Sequence, residues 1–473
     1  MKIERLKSIL LIILVISSII LTANKWFSEE LWPSGYNFFS NVKSRISGEG
    51  KDGEKGFNPN EEILKPAEII VNNLSNHVLY TKSSLEYDEI CDEIEKMLYI
   101  AFTSKKSIDT DDEEWNNQLK SKSCYFSYPV IYDASYFASQ LSLGYEGSIK
   151  YIKEFIVSGD LRIPSVMHMY IKDAKTEEIS KVTIDFESEN IASLINNAKN
   201  YNGDINYYSF ELNFDNTNES SIKDHVIIDR GVLINISPKM LKKLNEQNMF
   251  ENIIYNEELY KDILSLFEYN TSSIRKYVES DNSMVFVENY GTLKLHSKGV
   301  LEYKSTDKTK GIELDNSSVN SCINSCITFV NDVTGLMDTG KSMYFEISSD
   351  IHDIQSRSFT LSFDYYINDS KIIIPEDRYQ TKNAITVEVE NGIVVAYTQV
   401  FNSFSPLSDE IGCGSAIDAI DRLETDGADV SGSITDIFAA YSYNKDLSDW
   451  VALWCIEDSK GNISTISPKA EVQ

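Results

Sequence analysis

The sequence predicts an α+β protein in which a single N-terminal transmembrane helix is followed by a multi-domain exported region. Three observations favour this class: an apolar run near the N-terminus, alternating apolar segments typical of strands, and a hairpin–helix–hairpin order that occurs twice. The 473 residues have room for about three domains of roughly 150 residues each. The repeated order predicts two duplicated C-terminal units, each an antiparallel sheet with a helix on one face.

The composition argues against several classes of protein. The chain carries 44 basic and 73 acidic residues, a net charge of −29. Nucleic acid is therefore not expected as a partner, because neutralising phosphates needs clustered Lys and Arg. Hydrophobic residues make up 42% of the chain, enough for packed cores. Six cysteines are too few for a disulfide scaffold.

The first 60 residues predict how the protein is attached to the cell membrane. Residues 1–7 form a short basic tail that stays in the cytoplasm, and residues 8–25 contain an uncharged apolar run that flanking residues extend to spanning length. A cleaved signal peptide is the alternative, but Leu21 fits the outer position of a cleavage site poorly. We predict a single-pass anchor, a flexible stalk at residues 26–60, and an extracytoplasmic location for everything beyond it.

Residues 61–236 predict an N-terminal α+β domain. The spacing of apolar residues predicts one amphipathic helix over residues 61–71 and a second from Tyr87 to Ala101. The acidic run at residues 109–114 is interpreted as a solvated loop, because a calcium loop would need a Gly turn and spaced oxygens. Four segments rich in β-branched and aromatic residues are predicted to be strands: residues 124–132, 182–186, 205–214 and 226–236.

Two further domains are predicted at residues 237–370 and 371–473. The first is expected to contain a helix at 240–266, a hairpin at 292–304, a helix at 317–333 and strands at 342–348 and 358–367. The second is expected to contain a hairpin at 384–399, a helix at 415–423 and strands at 434–443 and 450–458. The offset between the two sets is roughly 90 residues, which is what predicts a duplication.

The sequence contains no pattern that supports catalysis or metal binding. The histidines share neither an HExxH motif nor a spacing of four residues; they are His77, His168, His225, His296 and His352. Cys322 and Cys326 lie on one helical face and are interpreted as buried thiols, since no second Cys or His pair accompanies them. Whether Cys413 and Cys455 form a disulfide is left open. We predict no enzyme activity, no metal and no cofactor.

Several segments resemble the YycH family. Residues 266–305 are similar to the central block of that family, and residues 124–137 to its earlier strand–Pro–turn segment. The C-terminal helix and strands look like a unit that the family shares with YycI; they are residues 415–423, 439–443 and 450–454. That unit is reminiscent of PepSY-type modules, so residues 371–473 are expected to form a PepSY-like domain. Residues 139–260 match least well.

The resemblance implies a regulator. Members of the family are membrane-anchored accessory proteins of the two-component system that controls cell-wall homeostasis in Gram-positive bacteria, whose sensor histidine kinase is WalK or YycG and whose response regulator is WalR. The implied partners are a kinase of that type and a YycI-like membrane protein. Homo- or hetero-oligomerisation, the sign of regulation and the signal stay open. The main alternative is an envelope or sporulation-associated binding protein without a signalling role, and an unrecognised extracytoplasmic enzyme is the third hypothesis.

Four residues of the predicted anchor are candidates for contact with a partner helix. Ser17, Ser18, Thr22 and Ala23 are small or carry a hydroxyl group, and Ser18 and Thr22 form a small-xxx-small pair. Such residues let helices approach closely or hydrogen-bond, at about 1 kcal/mol per contact. Because the predicted cytoplasmic tail is too short to hold a signalling domain, information is expected to pass laterally within the bilayer.

Overall fold

The structure is a computed structural model that describes residues 62–467, except for residues 75, 105–106, 146, 160–165, 187–188, 199–203, 213–226, 230, 270–273, 338–341 and 424–432. The predicted anchor and stalk, with Ser17, Ser18, Thr22 and Ala23, lie outside the described residues. Within the described part, no helix combines the length and the hydropathy needed to cross a membrane. All described residues belong to one of the two units into which the chain divides.

The first half of the described chain alternates strands with short helices. Its elements are β1 (Glu68–Asn73), β2 (Asn76–Tyr80), α1 (Tyr87–Thr103), β3 (Ser107–Thr110), α2 (Asp112–Leu119), β4 (Lys122–Asp133), α3 (Ala134–Gln140), β5 (Tyr151–Gly159), β6 (Val166–Asp173), β7 (Ile179–Asp185), α4 (Glu189–Ala198), β8 (Asn206–Tyr208), β9 (Ile227–Ile228) and β10 (Leu233–Asn235).

An antiparallel sheet organises this half, and both of its faces are covered. Among the described residues it has nine strands in the order β10-β8-β2-β1-β4-β5-β6-β7-β3. Helices α1 and α4 pack on one face, where the apolar side of α1 is buried. On the other face Trp115 and Leu119 of α2 pack against Ile70, Ile156 and Tyr170. We call this layer the N-terminal sheet.

The second half is richer in strands. Its elements are β11 (Lys239–Asn248), α5 (Glu257–Leu266), β12 (Arg275–Val278), β13 (Met284–Val287), β14 (Gly291–His296), β15 (Val300–Ser305), β16 (Ile312–Glu313), α6 (Val319–Thr334), β17 (Met343–Ile347), β18 (Phe359–Ile367), β19 (Ser370–Ile373), α7 (Glu376–Tyr379), β20 (Ile385–Glu390), β21 (Ile393–Val400), β22 (Asn402–Gly414), α8 (Ala416–Arg422), β23 (Ser433–Asn444), β24 (Asp449–Asp458) and β25 (Ile463–Ile466).

Most of these strands form one sheet, which we call the large sheet. In the described chain it has 14 strands along the path β12-β13-β14-β15-β21-β20-β18-β19-β23-β24-β25, with β16, β17 and β9 added at its sides. The pairs that β23 makes with β19 and β9 are parallel, and β11 pairs with β22 outside this sheet. Each half of the described chain combines helices with a large, mainly antiparallel sheet, which confirms the α+β class.

Both predicted hairpins are confirmed, and local backbone chemistry explains them. The turn between β14 and β15 has Gly299 at a φ of 85°, and the turn between β20 and β21 has Asn391 and Gly392 at φ values of 52° and 82°. Two successive positive φ angles suit a tight hairpin turn, which is why Asn-Gly is favoured there. The helices that follow are confirmed as well, with Ser318 and Ser415 as their N-caps.

Hydrogen bonding in the large sheet runs across the predicted boundary between residues 370 and 371. β15 pairs with β21 from Val300↔Val400 to Lys304↔Ala396, so the two hairpins share one sheet. Side chains pack across the same line, since Phe329 of α6 contacts Tyr397 of β21 with ring centroids 5.5 Å apart. The predicted domain boundaries at residues 236/237 and 370/371 stay predictions.

The predicted helix at residues 240–266 is wrong over its first half, where the chain forms β11. Two register shifts against β22, at Lys239/Met240 and Lys242/Leu244, interrupt the alternation of this strand. They allow Leu241 and Leu244 to be buried together although three positions separate them. A bulged strand therefore imitates the spacing of a helix. The second half of the prediction is confirmed by α5.

Two other predictions in the N-terminal half need correction. Residues 68–71 form part of β1 rather than a helix, because Ile69, Ile70 and Val71 are all buried in a sheet covered on both faces, where alternation disappears. Residues 109–114 are not a loop but the end of β3 and the start of α2. The Asp111 side chain caps α2 by accepting a hydrogen bond from the Glu114 amide at 2.9 Å.

The four predicted N-terminal strands have different outcomes. The strands at residues 124–132 and 182–186 are confirmed by β4 and β7. The strand predicted at 205–214 ends at Tyr208, where a short 3-10 helix begins. Only the short strands β9 and β10 occupy the strand predicted at 226–236.

A buried carboxylate fastens β11 to the large sheet. Glu246 Oε2 accepts hydrogen bonds from Arg378 Nη1 at 2.8 Å and Trp450 Nε1 at 2.9 Å. Glu246 Oε1 accepts from Asn402 Nδ2 at 2.6 Å and from the Tyr379 hydroxyl. The Glu246 side chain is only 11% exposed, so these four donors replace water as the solvation of its charge.

We expect Glu246→Ala to lower the free energy of unfolding by about 3 kcal/mol, because it leaves the Arg378 cation and the Trp450 donor without an acceptor. Urea unfolding monitored by Trp fluorescence measures the loss. Glu251→Ala, which removes an exposed carboxylate nearby, should change the free energy by less than about 0.5 kcal/mol. Equal effects of the two substitutions would contradict the role given to Glu246.

Candidate functional site

A cavity lies where the N-terminal sheet meets the large sheet. Its volume is about 310 Å³. The N-terminal half contributes Glu62, Ile63, Lys65, Lys82, Pro129 and Tyr132, and the second half contributes Ile327, Asn331, Thr334, Gly335, Met343, Tyr344, Phe345, Glu346, Ile347, Phe363 and Tyr365. The cavity is therefore built by α6, β17 and β18 on one side and by β4 and the segments flanking β1 and β2 on the other.

Backbone hydrogen bonds fix the two halves against each other beside the cavity. The Ile131 carbonyl in β4 accepts from the amides of Ile351 and His352, both at 3.1 Å. The Ile131 amide in turn donates to Asp350 Oδ1 at 2.9 Å. We call this contact the Ile131 clamp. It sets the position of β4, and with it Tyr132, relative to the segment that follows β17.

Further polar contacts continue this junction on either side of the clamp. The Tyr136 hydroxyl donates to Asn324 Oδ1 of α6 at 2.8 Å. At the other end Thr81 Oγ1 donates to Asp369 Oδ2 at 2.6 Å, and the Tyr344 hydroxyl donates to Asp369 Oδ1 at 3.0 Å. The two halves are thus held by hydrogen bonds along a line, which we call the seam.

Opposite charges meet inside the cavity. Lys82 Nζ lies 2.9 Å from Glu346 Oε1 and 3.9 Å from Glu62 Oε2, and Lys65 Nζ lies 3.0 Å from Glu62 Oε1. The Glu346 side chain is 6% exposed and that of Lys82 is 21% exposed. Burial works against the charged form of Lys82, but the Glu346 and Glu62 carboxylates outweigh it and raise the pKa of Lys82. The Lys82 ammonium is therefore retained at neutral pH.

Tyr132 brings an unused hydroxyl to the cavity. The residue as a whole is 2% exposed and lines the cavity, and its hydroxyl makes no hydrogen bond within the described residues. The other two tyrosines of the cavity are satisfied, since Tyr344 donates to Asp369 and Tyr365 donates to the Val400 carbonyl at 3.0 Å. Burial, and then the Glu346 and Asp350 carboxylates, hold the pKa of Tyr132 well above its usual value. It is therefore a neutral donor.

Carboxylates gather along the seam next to the cavity. Glu68 begins β1 and faces Asp436 of β23. Burial, reinforced by the Asp436 and Glu346 carboxylates, raises the pKa of Glu68 to about 8. The Lys153 ammonium opposes this shift. The seam is therefore sensitive to protonation near neutral pH.

The cysteines and histidines do not form a reactive centre in the described part of the chain. All six cysteines are buried and unpaired, including Cys413 and Cys455. The interpretation of Cys322 and Cys326 as buried thiols is confirmed, and burial raises the pKa of Cys322 to about 11, which disfavours the reactive thiolate. No group of three His, Cys, Asp or Glu side chains among the described residues is arranged to hold a metal ion.

Sequence reasoning missed every residue of the cavity. Its candidate contacts, Ser17, Ser18, Thr22 and Ala23, belong to the predicted anchor, and the structure describes none of them. Lys82 and Glu346 approach each other only through the packing of the two sheets, and neither is part of a local motif. The adjacent aromatic residues Tyr344 and Phe345, in a predicted strand, were a weak signal in the sequence for an aromatic wall at this place.

The fold is similar to that of a solved protein, YycH from Bacillus subtilis. The crystal structure of YycH from Bacillus subtilis superimposes with a TM-score of 0.60 and covers 89% of this chain and 100% of that one, at 13% sequence identity. The chain therefore has a YycH-like fold, and the resemblance inferred from the sequence is confirmed at that level.

Other comparisons add little to this likeness. An uncharacterized protein from Eubacterium rectale covers 51% of this chain and 87% of its own, with a TM-score of 0.33 and 10% identity. No family model matches the sequence, and neither does any curated protein.

Removing one partner of the ion pair in the cavity should be costly. We expect Lys82→Met to lower the free energy of unfolding by on the order of 3 kcal/mol, because Glu346 is left buried without a counterion. Lys82→Met combined with Glu346→Gln should recover part of this loss, and a double-mutant cycle from urea unfolding measures the coupling. If the double variant is as unstable as the sum of the single variants, the two side chains are not coupled.

The raised pKa of Glu68 predicts how stability depends on pH. The folded state holds this proton more tightly than the unfolded chain does, so the stabilisation is complete below pH 4.5 and is lost as the pH rises through about 8. Glu68→Gln imitates the protonated side chain and should flatten this decline in unfolding experiments between these pH values. Glu89→Gln, on the exposed side of α1, should leave the decline unchanged. A decline equally steep in both variants would contradict the assignment to Glu68.

Proposed function

We propose that the chain is a membrane-anchored extracytoplasmic accessory protein that modulates a sensor histidine kinase of the WalK or YycG type. The observation that carries the proposal is the YycH-like fold, which extends over 89% of this chain and the whole of the YycH structure. The segments that resemble the YycH family in sequence support it, as does the apolar run at residues 8–25.

The cavity supports an accessory role over an enzymatic one. Its polar side chains are two ammonium–carboxylate pairs, the hydroxyls of three tyrosines, the Asn331 amide and the Thr334 hydroxyl, and most of its remaining walls are aliphatic and aromatic. A hydrolase or transferase would require a nucleophile within reach of a base, or donors directed at a developing charge. The described residues of the cavity suit recognition better than reaction.

We further propose that the second half arose by duplication. Its first unit consists of the β14–β15 hairpin, helix α6 and the paired strands β17 and β18. The second consists of the β20–β21 hairpin, the shorter helix α8 and the paired strands β23 and β24. The same order of elements supports this origin and supports a PepSY-like character for residues 371–473. A YycI-like partner belongs to the same proposal.

Contact within the bilayer can be tested by copurification from membranes. Replacing Ser18 and Thr22 with Leu should weaken association with the kinase about thirtyfold and reduce its recovery accordingly, because the two close helix contacts are worth about 1 kcal/mol each. Ile16→Leu combined with Ile20→Leu changes a different part of the same segment and should leave recovery unchanged. Quantitative immunoblotting of the kinase against the tagged native chain provides the measurement.

If the Ser18 and Thr22 substitutions have no effect on recovery of the kinase, replacing the whole predicted anchor locates the interface. Replacing residues 8–25 with an unrelated spanning helix removes all four candidate contacts, Ser17, Ser18, Thr22 and Ala23. Full recovery of the kinase with this chain would move the interface to the exported domains. Failure to recover a kinase even with the native chain would overturn the proposal and favour the alternative of an envelope binding protein without a signalling role.

A further inference from the structure

We infer that the cavity between the N-terminal sheet and the large sheet binds a small zwitterion with an apolar body, of the class of the free α-amino acids with a large side chain. The inference does not depend on the kinase partner. It follows from the size of the cavity, from the charges that line it and from one tyrosine hydroxyl that has no hydrogen-bond partner among the described residues.

The size and place of the cavity suit a small molecule. A volume of about 310 Å³ corresponds to roughly ten water molecules and lies at the lower end of ligand cavities. The cavity is formed where two packed halves meet, which is a common place for ligand sites. Macromolecules and lipid chains are too large for it. A molecule of about ten to fifteen non-hydrogen atoms fits.

The charges favour a ligand that carries both signs. Lys82 and Lys65 are balanced by Glu346 and Glu62, and the Lys82–Glu346 contact at 2.9 Å is almost fully buried on the Glu346 side. A ligand with a single charge would pair with one member and leave the other without a counterion, which is expensive in a buried site. A zwitterion can insert between them, with its carboxylate on Lys82 and its ammonium on Glu346, so that every charge keeps a partner.

Two further features match the two ends of such a ligand. The Tyr132 hydroxyl borders the cavity and makes no hydrogen bond within the described residues, so it supplies a second donor for a carboxylate. The last turn of α6, with Asn331 and Thr334, and its C-cap Gly335 also border the cavity. The C-terminal end of this 16-residue helix carries partial negative charge, which favours an ammonium group.

The remaining walls explain the apolar body. Phe345 and Phe363 meet edge to face with ring centroids 5.6 Å apart, and Ile327 and Met343 border the same space. Such walls favour an aromatic or large aliphatic side chain over a hydroxylated one. Because residues of both halves line the cavity, an occupant that contacts both would stabilise the seam.

The test uses the full chain in detergent micelles and three probes of similar shape: L-phenylalanine, phenylacetate and phenethylamine. Isothermal titration calorimetry should detect binding of L-phenylalanine at about 1 mM or tighter, with the anion and the cation at least about tenfold weaker. Equal binding of either single-charge probe would overturn the zwitterion class. Absence of binding by all three at about 10 mM would overturn the site.

Variants place the binding in this cavity. Tyr132→Phe keeps the ring and should weaken L-phenylalanine binding about tenfold, without loss of thermal stability because the hydroxyl has no partner to lose. Ile327→Phe fills the cavity and should abolish binding. Tyr170→Phe is the matched control, since its hydroxyl donates to Glu114 on the other face of the N-terminal sheet. Binding unchanged in both cavity variants, each with a native melting curve, would overturn the assignment; if one fails to fold, the other decides.

Discussion

The Ile131 clamp is the constraint on which the architecture of the site depends. One residue of β4, Ile131, accepts hydrogen bonds from two amides of residues 351–352 through its carbonyl and donates one to the carboxylate of Asp350 through its own amide. In a strand, successive side chains point to opposite faces. Fixing the backbone at Ile131 therefore fixes the side to which Tyr132 points, and a shift of one residue would take its ring away from the cavity.

The seam adds polar contacts to a hydrophobic core that runs through both halves. Its polar contacts are the ion pair of Lys82 with Glu346 and the hydrogen bonds that Asp369 accepts. Buried ion pairs add little net stability compared with apolar packing, but they define one relative placement because any other leaves a charge unpaired. Such a junction fixes how the two halves are placed relative to each other, and its polar groups are also available to bind a ligand.

Local chemistry decided which parts of the fold could be predicted from the sequence. Asn391-Gly392 and the N-cap Ser415 act within a few residues, so their hairpin and helix were predicted correctly. β1 and β11 were mistaken for helices because burial on both faces and two register shifts remove the alternation on which strand prediction depends. The cavity could not be predicted from the sequence, since Lys82 and Glu346 lie far apart along the chain and are brought together only by the packing of the two halves.

The place of the cavity along the chain gives the two proposals a physical connection. Glu62 and Lys65, which line the cavity and pair with each other, directly follow the predicted stalk at residues 26–60. An occupant that bridges Lys82 and Glu346 competes for the contact of Glu62 with Lys82 at 3.9 Å. On the two proposals together, the ligand therefore acts on the contacts of Glu62 and Lys65, at the point where the predicted stalk reaches the described fold. Since the predicted stalk joins these residues to the predicted anchor, the cavity and the membrane segment are connected without a separate relay domain.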